Sequence, residues 1–165
     1  DARAADALTR RHLAPLRQFL RTKVRPDDVE DLLQQVWLAL GETQGRAGGA
    51  DIRGTLRGYL FGIARHVLFA HIRAKHRSAA VDPIESSIAA LDPSLSQAVG
   101  EQLAARRMML ALQRLPLDTQ VLLELRYFQA MSTAELAAMY EVPVGTIKSR
   151  LSQARKLLDT ATKLT

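Results

Sequence analysis

Met131-Ser132-Thr133-Ala134-Glu135-Leu136-Ala137-Ala138-Met139-Tyr140-Glu141-Val142-Pro143-Val144-Gly145-Thr146-Ile147-Lys148-Ser149-Arg150-Leu151 is the stretch that decides the fold of this chain. Ser132 followed three residues later by Glu135 is a capping box, in which hydroxyl and carboxylate each satisfy a backbone N–H that a first helical turn leaves unpaired. A helix therefore starts here. Pro143 stands where a second helix begins, because its missing N–H is no loss at the first helical position and its fixed φ suits the entry. The break between the two spans Tyr140 to Val142. In the second helix Ile147, Leu151, Ala154 and Leu158 recur at the spacing of one buried stripe, which leaves Lys148, Ser149, Ser152, Gln153 and Lys156 on the opposite face. Two short helices with a polar, basic outer face on the second are built to place side chains in the major groove of DNA. From Pro143 to Thr165 five Lys or Arg stand against one acidic residue, Asp159, which suits a helix lying among phosphates. Paired amphipathic helices also occur in all-α proteins that never touch nucleic acid, so the rest of the chain has to decide.

Charge is distributed in blocks. Pro26 to Gly45 holds five acidic residues and no Lys or Arg, Arg53 to Arg77 holds six Lys or Arg and no acid, and Ser78 to Ala105 holds four acids and no base. Alternating blocks imply distinct surfaces for distinct partners. The net charge of +6 and a pI near 10.2 point to a polyanion, and the basic blocks say where it binds. With no cysteine, disulfides and thiolate metal sites are excluded. No apolar run is long enough to span a bilayer and no signal peptide is visible, so membrane insertion is not expected and a cytoplasmic protein is the simplest reading. Asp1 is not a natural start, which leaves open whether residues precede it. Aromatic residues make up 5% of the chain and no strand-type alternation is present, so the expected fold is all-α.

Ala2 to Val24 reads as one helix or as two interrupted at Pro15. Asp27 and Asp28 lead into Val29, Leu32, Leu33, Val36, Trp37 and Leu40, an apolar stripe at helical spacing, with Asp28, Glu30, Asp31, Gln34 and Gln35 around it. Trp37 lies on that stripe and is read as core. Gly45-Arg46-Ala47-Gly48-Gly49 is a loop without the Lys-Ser or Lys-Thr ending of a phosphate-binding loop, which removes a nucleotide site. Leu56 to Arg77 reads as a helix with Leu60, Ile63, Val67 and Ile72 buried and Arg57, Arg65, Arg73, Lys75 and Arg77 facing solvent or phosphate. Such a basic helix suits DNA, a membrane surface or a partner helix equally well. Tyr59 divides between core packing and stacking on an unpaired base. Asp82-Pro83 through Asp92-Pro93-Ser94 is weakly periodic and reads as a linker. The expected organisation is two small helical domains joined by a flexible linker: residues 1–78, linker 79–104, and 105–165. Each domain would be marginal alone, so partner binding helps order them.

Val142 to Leu151 resembles the recognition-helix signature of the extracytoplasmic-function group of sigma factors in the sigma-70 family. Leu112 to Phe128 is similar to the helix that this family places just before it. Glu141 departs from the Gly usual in that turn; Gly reaches a left-handed conformation without steric cost and Glu does not. The first half resembles the family too. Asp28-Val29-Glu30-Asp31-Leu32-Leu33-Gln34-Gln35-Val36-Trp37 is similar to the acidic helix that grips the clamp helices of the RNA polymerase β′ subunit, and puts Asp31, Gln34 and Gln35 at the contact positions. Gln35 stands where the family usually has Glu. Tyr59-Leu60-Phe61-Gly62-Ile63-Ala64-Arg65-His66 resembles the helix that opens and holds the −10 element, with Tyr59 for the usual Trp and His66 for the usual Asn.

The resemblance implies a dissociable initiation subunit that binds core RNA polymerase through β′ and β, recognises −35 and −10 promoter elements and assists melting at −10. It puts Lys148, Ser149, Arg150, Ser152, Gln153 and Arg155 on the −35 element. Arg57, Tyr59, Arg65, His66 and Arg73 fall on the −10 element. An anti-sigma factor is a further partner that the family implies. No cofactor is expected: His66, His71 and His76 are spaced by five, which spreads them around a helix, and the paired acids at Asp27, Asp28, Glu30 and Asp31 are explained by the helix dipole. Intrinsic catalysis is therefore not expected. The competing readings are a stand-alone helix-turn-helix regulator, which would bind as a dimer, and a nucleic-acid enzyme, which lacks its ligand sets here.

Overall fold

The computed structural model describes residues 2–45, 54–78 and 99–164. Seven helices account for nearly all of them: α1 (Ala2–Arg21), α2 (Pro26–Gly45), α3 (Leu56–Ser78), α4 (Val99–Gln113), α5 (Leu117–Tyr127), α6 (Thr133–Tyr140) and α7 (Val144–Lys163). No strand occurs among the described residues, and none of the helices there is long and apolar enough to cross a membrane. The fold is all-α, as the sequence implies. The chain divides into two compact units, Asp1–Ala90 and Leu91–Thr165. The Gly-rich loop after Gly45 and most of the stretch read as a linker lie outside the described residues; α4 begins at Val99, inside that stretch.

In the first unit α1, α2 and α3 pack on one another. α1 is one helix that runs through Pro15, which settles the choice left open by the sequence. It ends where the Lys23 ammonium folds back, donating to the Phe19 carbonyl at 2.6 Å and to the Thr22 hydroxyl at 3.0 Å while sitting 3.9 Å above the Phe19 ring. A cation placed on carbonyls that have no helical partner closes the C-terminus of the helix. Pro26 then opens α2 at its first position. Arg17 clamps α1 to α2 through a two-pronged bond to Glu30, at 2.9 and 3.2 Å. Thr55 caps α3 by accepting from the Gly58 N–H at 3.1 Å.

The core of this unit is Leu16, Phe19 and Leu20 from α1, Val29, Leu32, Leu33, Val36 and Leu40 from α2, and Leu60, Phe61, Ala64 and Leu68 from α3. Phe19 and Phe61 meet edge to face with centroids 5.6 Å apart. That contact corrects the expected phase of α3: Ile63, Val67 and Ile72 are only half-buried, whereas Phe61, Ala64 and Leu68 join Leu60 inside. α3 is apolar around more than half of its circumference, so its period permits either phase and α1 chooses. Trp37 is a second correction. It is half-buried, because Val36 already points into the core and the next residue turns about 100° away. His12 is buried, and burial, followed by the charges of Arg11 and Arg57, holds its imidazole below the ordinary value.

In the second unit Ala111, Leu112, Leu115, Leu123, Ala154 and Ala161 form a cluster on which Met109 and Leu158 pack. Pro116 separates α4 from α5, and α7 lies against α4, α5 and α6. The α5–α6 loop is pinned by Arg126, whose guanidinium donates to the Met131 carbonyl at 2.7 Å, and by the buried Met131 side chain.

Candidate nucleic-acid interface

α6 is held at its start by both halves of the capping box: the Glu135 N–H donates to the Ser132 hydroxyl at 3.0 Å, and the Ser132 N–H donates to the Glu135 carboxylate at 2.8 Å. It ends at Glu141, whose backbone is left-handed (φ 53°, ψ 45°) and whose N–H returns to the Ala137 and Ala138 carbonyls. The turn therefore keeps the shape that Gly would adopt freely, and a Glu side chain bears the strain. Ala130, in the turn before α6, is likewise left-handed at φ 51°. Pro143 takes the cap position of α7, one residue before the first helical position expected of it.

Ile147, Leu151 and Ala154 are buried and Leu158 is half-buried, which fixes the rotation of α7. Opposite them Lys148, Ser149, Gln153 and Lys156 are exposed and Ser152 is half-buried. Arg150 and Arg155 are exposed on the two edges of the buried stripe. Arg155 is tied down: its guanidinium donates to the Tyr127 hydroxyl of α5 at 3.0 Å. The outer face thus offers short donors and acceptors flanked by cations, groups chemically able to meet base edges and phosphates.

On α3 the structure separates residues that the sequence grouped. Tyr59, His66 and Arg73 recur every seven residues, and Arg77 follows four later; Tyr59 is half-buried and the other three are exposed. These share one outward face. Arg57 is half-buried and its charge acts on His12 of α1. Arg65 is half-buried with its guanidinium 5.0 Å over the Phe69 ring. Lys75, expected to face solvent or phosphate, instead bonds Asp28 at 2.5 Å, with His71 Nε2 at 3.4 Å from the same oxygen. Burial pushes the Asp28 carboxyl up, but the Lys75 bond and charge together with His71 outweigh it and hold the group below the usual value. Lys75 falls on the inner side because it lies a whole number of turns from Leu68 and Phe61, so α2 claims it.

On α2 Asp31, Gln34 and Gln35 are exposed at i, i+3 and i+4, and Leu38, 67% exposed, extends their face by one turn. Gln34, Trp37 and Leu38 line a shallow open groove. The sequence signal for Leu38 is an apolar residue out of phase with the buried stripe. Among the described residues no group of His, Asp or Glu is gathered to hold a metal ion.

Residues 105–158 match the family described as Sigma-70, region 4. The chain is 29% identical over 152 residues to the RNA polymerase sigma factor HrpL of Pseudomonas syringae pv. syringae, covering 90% of this chain and 81% of that one. It is 40% identical over 50 residues to the RNA polymerase sigma-H factor of Pseudomonas aeruginosa, 30% of this chain and 26% of that one. The fold is shared with the sigma factor RpoE of Bartonella quintana, solved with the anti-sigma factor NepR (TM-score 0.72, 23% identity, 97% of each chain). It is shared also with CnrH, solved with the cytosolic domain of CnrY (TM-score 0.67, 22% identity, 99% of this chain and 90% of that one). The intact helix-turn-helix thus lies in the region that matches Sigma-70, region 4, and the chain is similar along 90% of its length to a sigma factor.

Proposed function

We propose that this chain is a sigma factor of the extracytoplasmic-function group of the sigma-70 family, that it acts in promoter-specific transcription initiation through RNA polymerase, and that it divides this work among three helices. α7 reads the −35 element with Lys148, Ser149, Ser152 and Gln153, while Arg150 and Arg155 meet phosphates. The outward face of α3, with Tyr59, His66 and Arg73, receives the −10 element and assists its opening; Arg57 and Arg65 support that helix from its sides. Asp31, Gln34, Gln35 and Leu38 of α2 meet the β′ clamp helices of core polymerase, and the β subunit is a second contact. The domains carrying these tasks are residues 1–78 and 105–165. The protein works in the cytoplasm, where the polymerase is, and by binding alone, without chemistry of its own. An anti-sigma factor that covers the polymerase-facing helix is a further partner, a reading supported by the anti-sigma factor NepR bound to one structural relative.

The observation that carries this reading is the outer face of α7, polar and cationic along its length, standing free of a core that fixes its rotation. Its test is reconstitution: the purified chain is mixed with core polymerase, resolved by gel filtration, and supplied with fragmented genomic DNA. Co-elution with core and transcripts starting at a recurring pair of spaced elements are expected. A homodimer that binds palindromic DNA without polymerase would overturn it.

A further inference from the structure

We propose that Tyr127 is a positioning residue for DNA binding, holding the Arg155 guanidinium so that it meets one backbone phosphate of the duplex read by α7. The proposal rests on the −35 role given to α7 above. Tyr127 and Arg155 lie 28 residues apart on different helices, and their bond of 3.0 Å is made in water, not in the core. Tyr127 keeps 53% of its surface exposed although it ends a helix whose Val121, Leu122, Leu123 and Leu125 are buried. Burial therefore does not explain its place; the flank of α7 does.

The chemistry of the pair selects the ligand. A guanidinium has five N–H donors and no acceptor, so after its bond to Tyr127 it retains donors for a further partner. The phenol accepts from Arg155 with its oxygen, which leaves its own O–H to donate. Both groups thus present donors at one edge of the recognition helix, and an acceptor-only group with several oxygens satisfies them together. Arg155 lies about two turns after Lys148, seven residues earlier, and α7 carries four other cations against Asp159, which is already bonded to Lys163 at 3.2 Å. That balance favours a phosphate over a carboxylate. Arg150, on the opposite edge, makes no such bond to α5 among the described residues, so the two rails differ: one cation is ordered before DNA arrives. Ordering a long side chain in advance lowers the cost of fixing it on binding.

The test uses the full chain bound to core RNA polymerase and, as probe, the duplex that the wild-type complex enriches most from random-sequence DNA. Affinity is measured across a salt series for Tyr127→Phe, Arg155→Ala, Arg155→Lys and the Tyr127→Phe, Arg155→Ala pair. Tyr127→Phe should weaken binding about fivefold, the loss of one hydrogen bond, with base preference and thermal midpoint unchanged. It should cost nothing further in the Arg155→Ala background, where the salt slope falls by about one. Arg155→Lys, which keeps the charge but not the fork, should restore the slope and not the affinity. An undiminished affinity for Tyr127→Phe, an equal loss in both backgrounds, or an altered base preference would overturn the proposal. So would weakened association with core polymerase in the absence of DNA, which would put the phenol on a protein partner. A wild-type complex that enriches no duplex sinks the −35 role itself, an outcome distinct from a wild type that binds and variants that bind equally well.

Discussion

Lys75 of α3 donates to the Asp28 carboxylate near the start of α2, so one cation of the basic helix ties it to the acidic helix instead of facing outward. His71 closes on the same oxygen from 3.4 Å. Asp28→Asn should lower the stability of the first unit by about 1 kcal/mol, a modest figure because Lys75 is 43% exposed and screened. The sign with pH follows from the lowered carboxyl. Its contribution is complete above the ordinary value of 3.8 and is lost as pH falls through the lower folded value. Acid unfolding monitored by helicity should show this loss in the wild type and not in Asp28→Asn.

Glu141→Gly should raise stability by about 0.5–1 kcal/mol, since relief of a left-handed residue, roughly 1–2 kcal/mol, outweighs the greater freedom of Gly in the unfolded chain. Ala130→Gly should do the same at the other end of α6. Calorimetry of the two single variants and the pair checks this. A lower midpoint for Glu141→Gly would mean that the Glu side chain contributes more than its backbone costs.

Replacing Leu38 with Ala, or Asp31 and Gln34 together with Ala, should weaken binding to core polymerase by on the order of 1–3 kcal/mol while leaving helicity intact. All three side chains lie outside the core. Titration against core enzyme provides the measurement, and unchanged affinity would remove α2 from that interface.

Gln153→Ala should relax base preference at one position by roughly 1–3 kcal/mol, because a carboxamide makes paired bonds to adenine. Arg150→Ala should weaken all sequences alike and flatten the salt dependence. Selection from random DNA separates the two effects, and an identical preference in wild type and the Gln153 variant would rule out its reading role.

Tyr59→Ala and His66→Ala should leave binding to closed duplex nearly unchanged but slow opening at −10, with stacking on Tyr59 worth about 1–3 kcal/mol. Permanganate reactivity of −10 thymines at matched occupancy is the measurement. Normal reactivity in both variants would mean that these residues only pack α3.

What was legible in the sequence was local. The capping box at Ser132, the stripe of α7 and the all-α character each follow from residues within one or two turns, and all are present. The Thr55 cap of α3 is equally local, a Thr one residue before a helix. What was not legible depends on residues far apart in sequence. Phe19 decides which face of α3 is inside, Asp28 removes Lys75 from the outer face, and Tyr127 fixes Arg155; no periodicity within one helix contains that information. Trp37 shows the same limit at short range, since an apolar stripe two residues wide cannot say where its edge falls.

The exposed Leu38 also governs how the unbound protein behaves in concentrated solution. An isobutyl group and the edge of an indole left in water on one face are an invitation to self-association, and the opposing influence is the net charge of +6, which keeps copies apart. Added salt weakens that repulsion while leaving the apolar attraction in place, so solubility should fall as ionic strength rises. A charged residue at position 38 should make the free chain tolerant of salt.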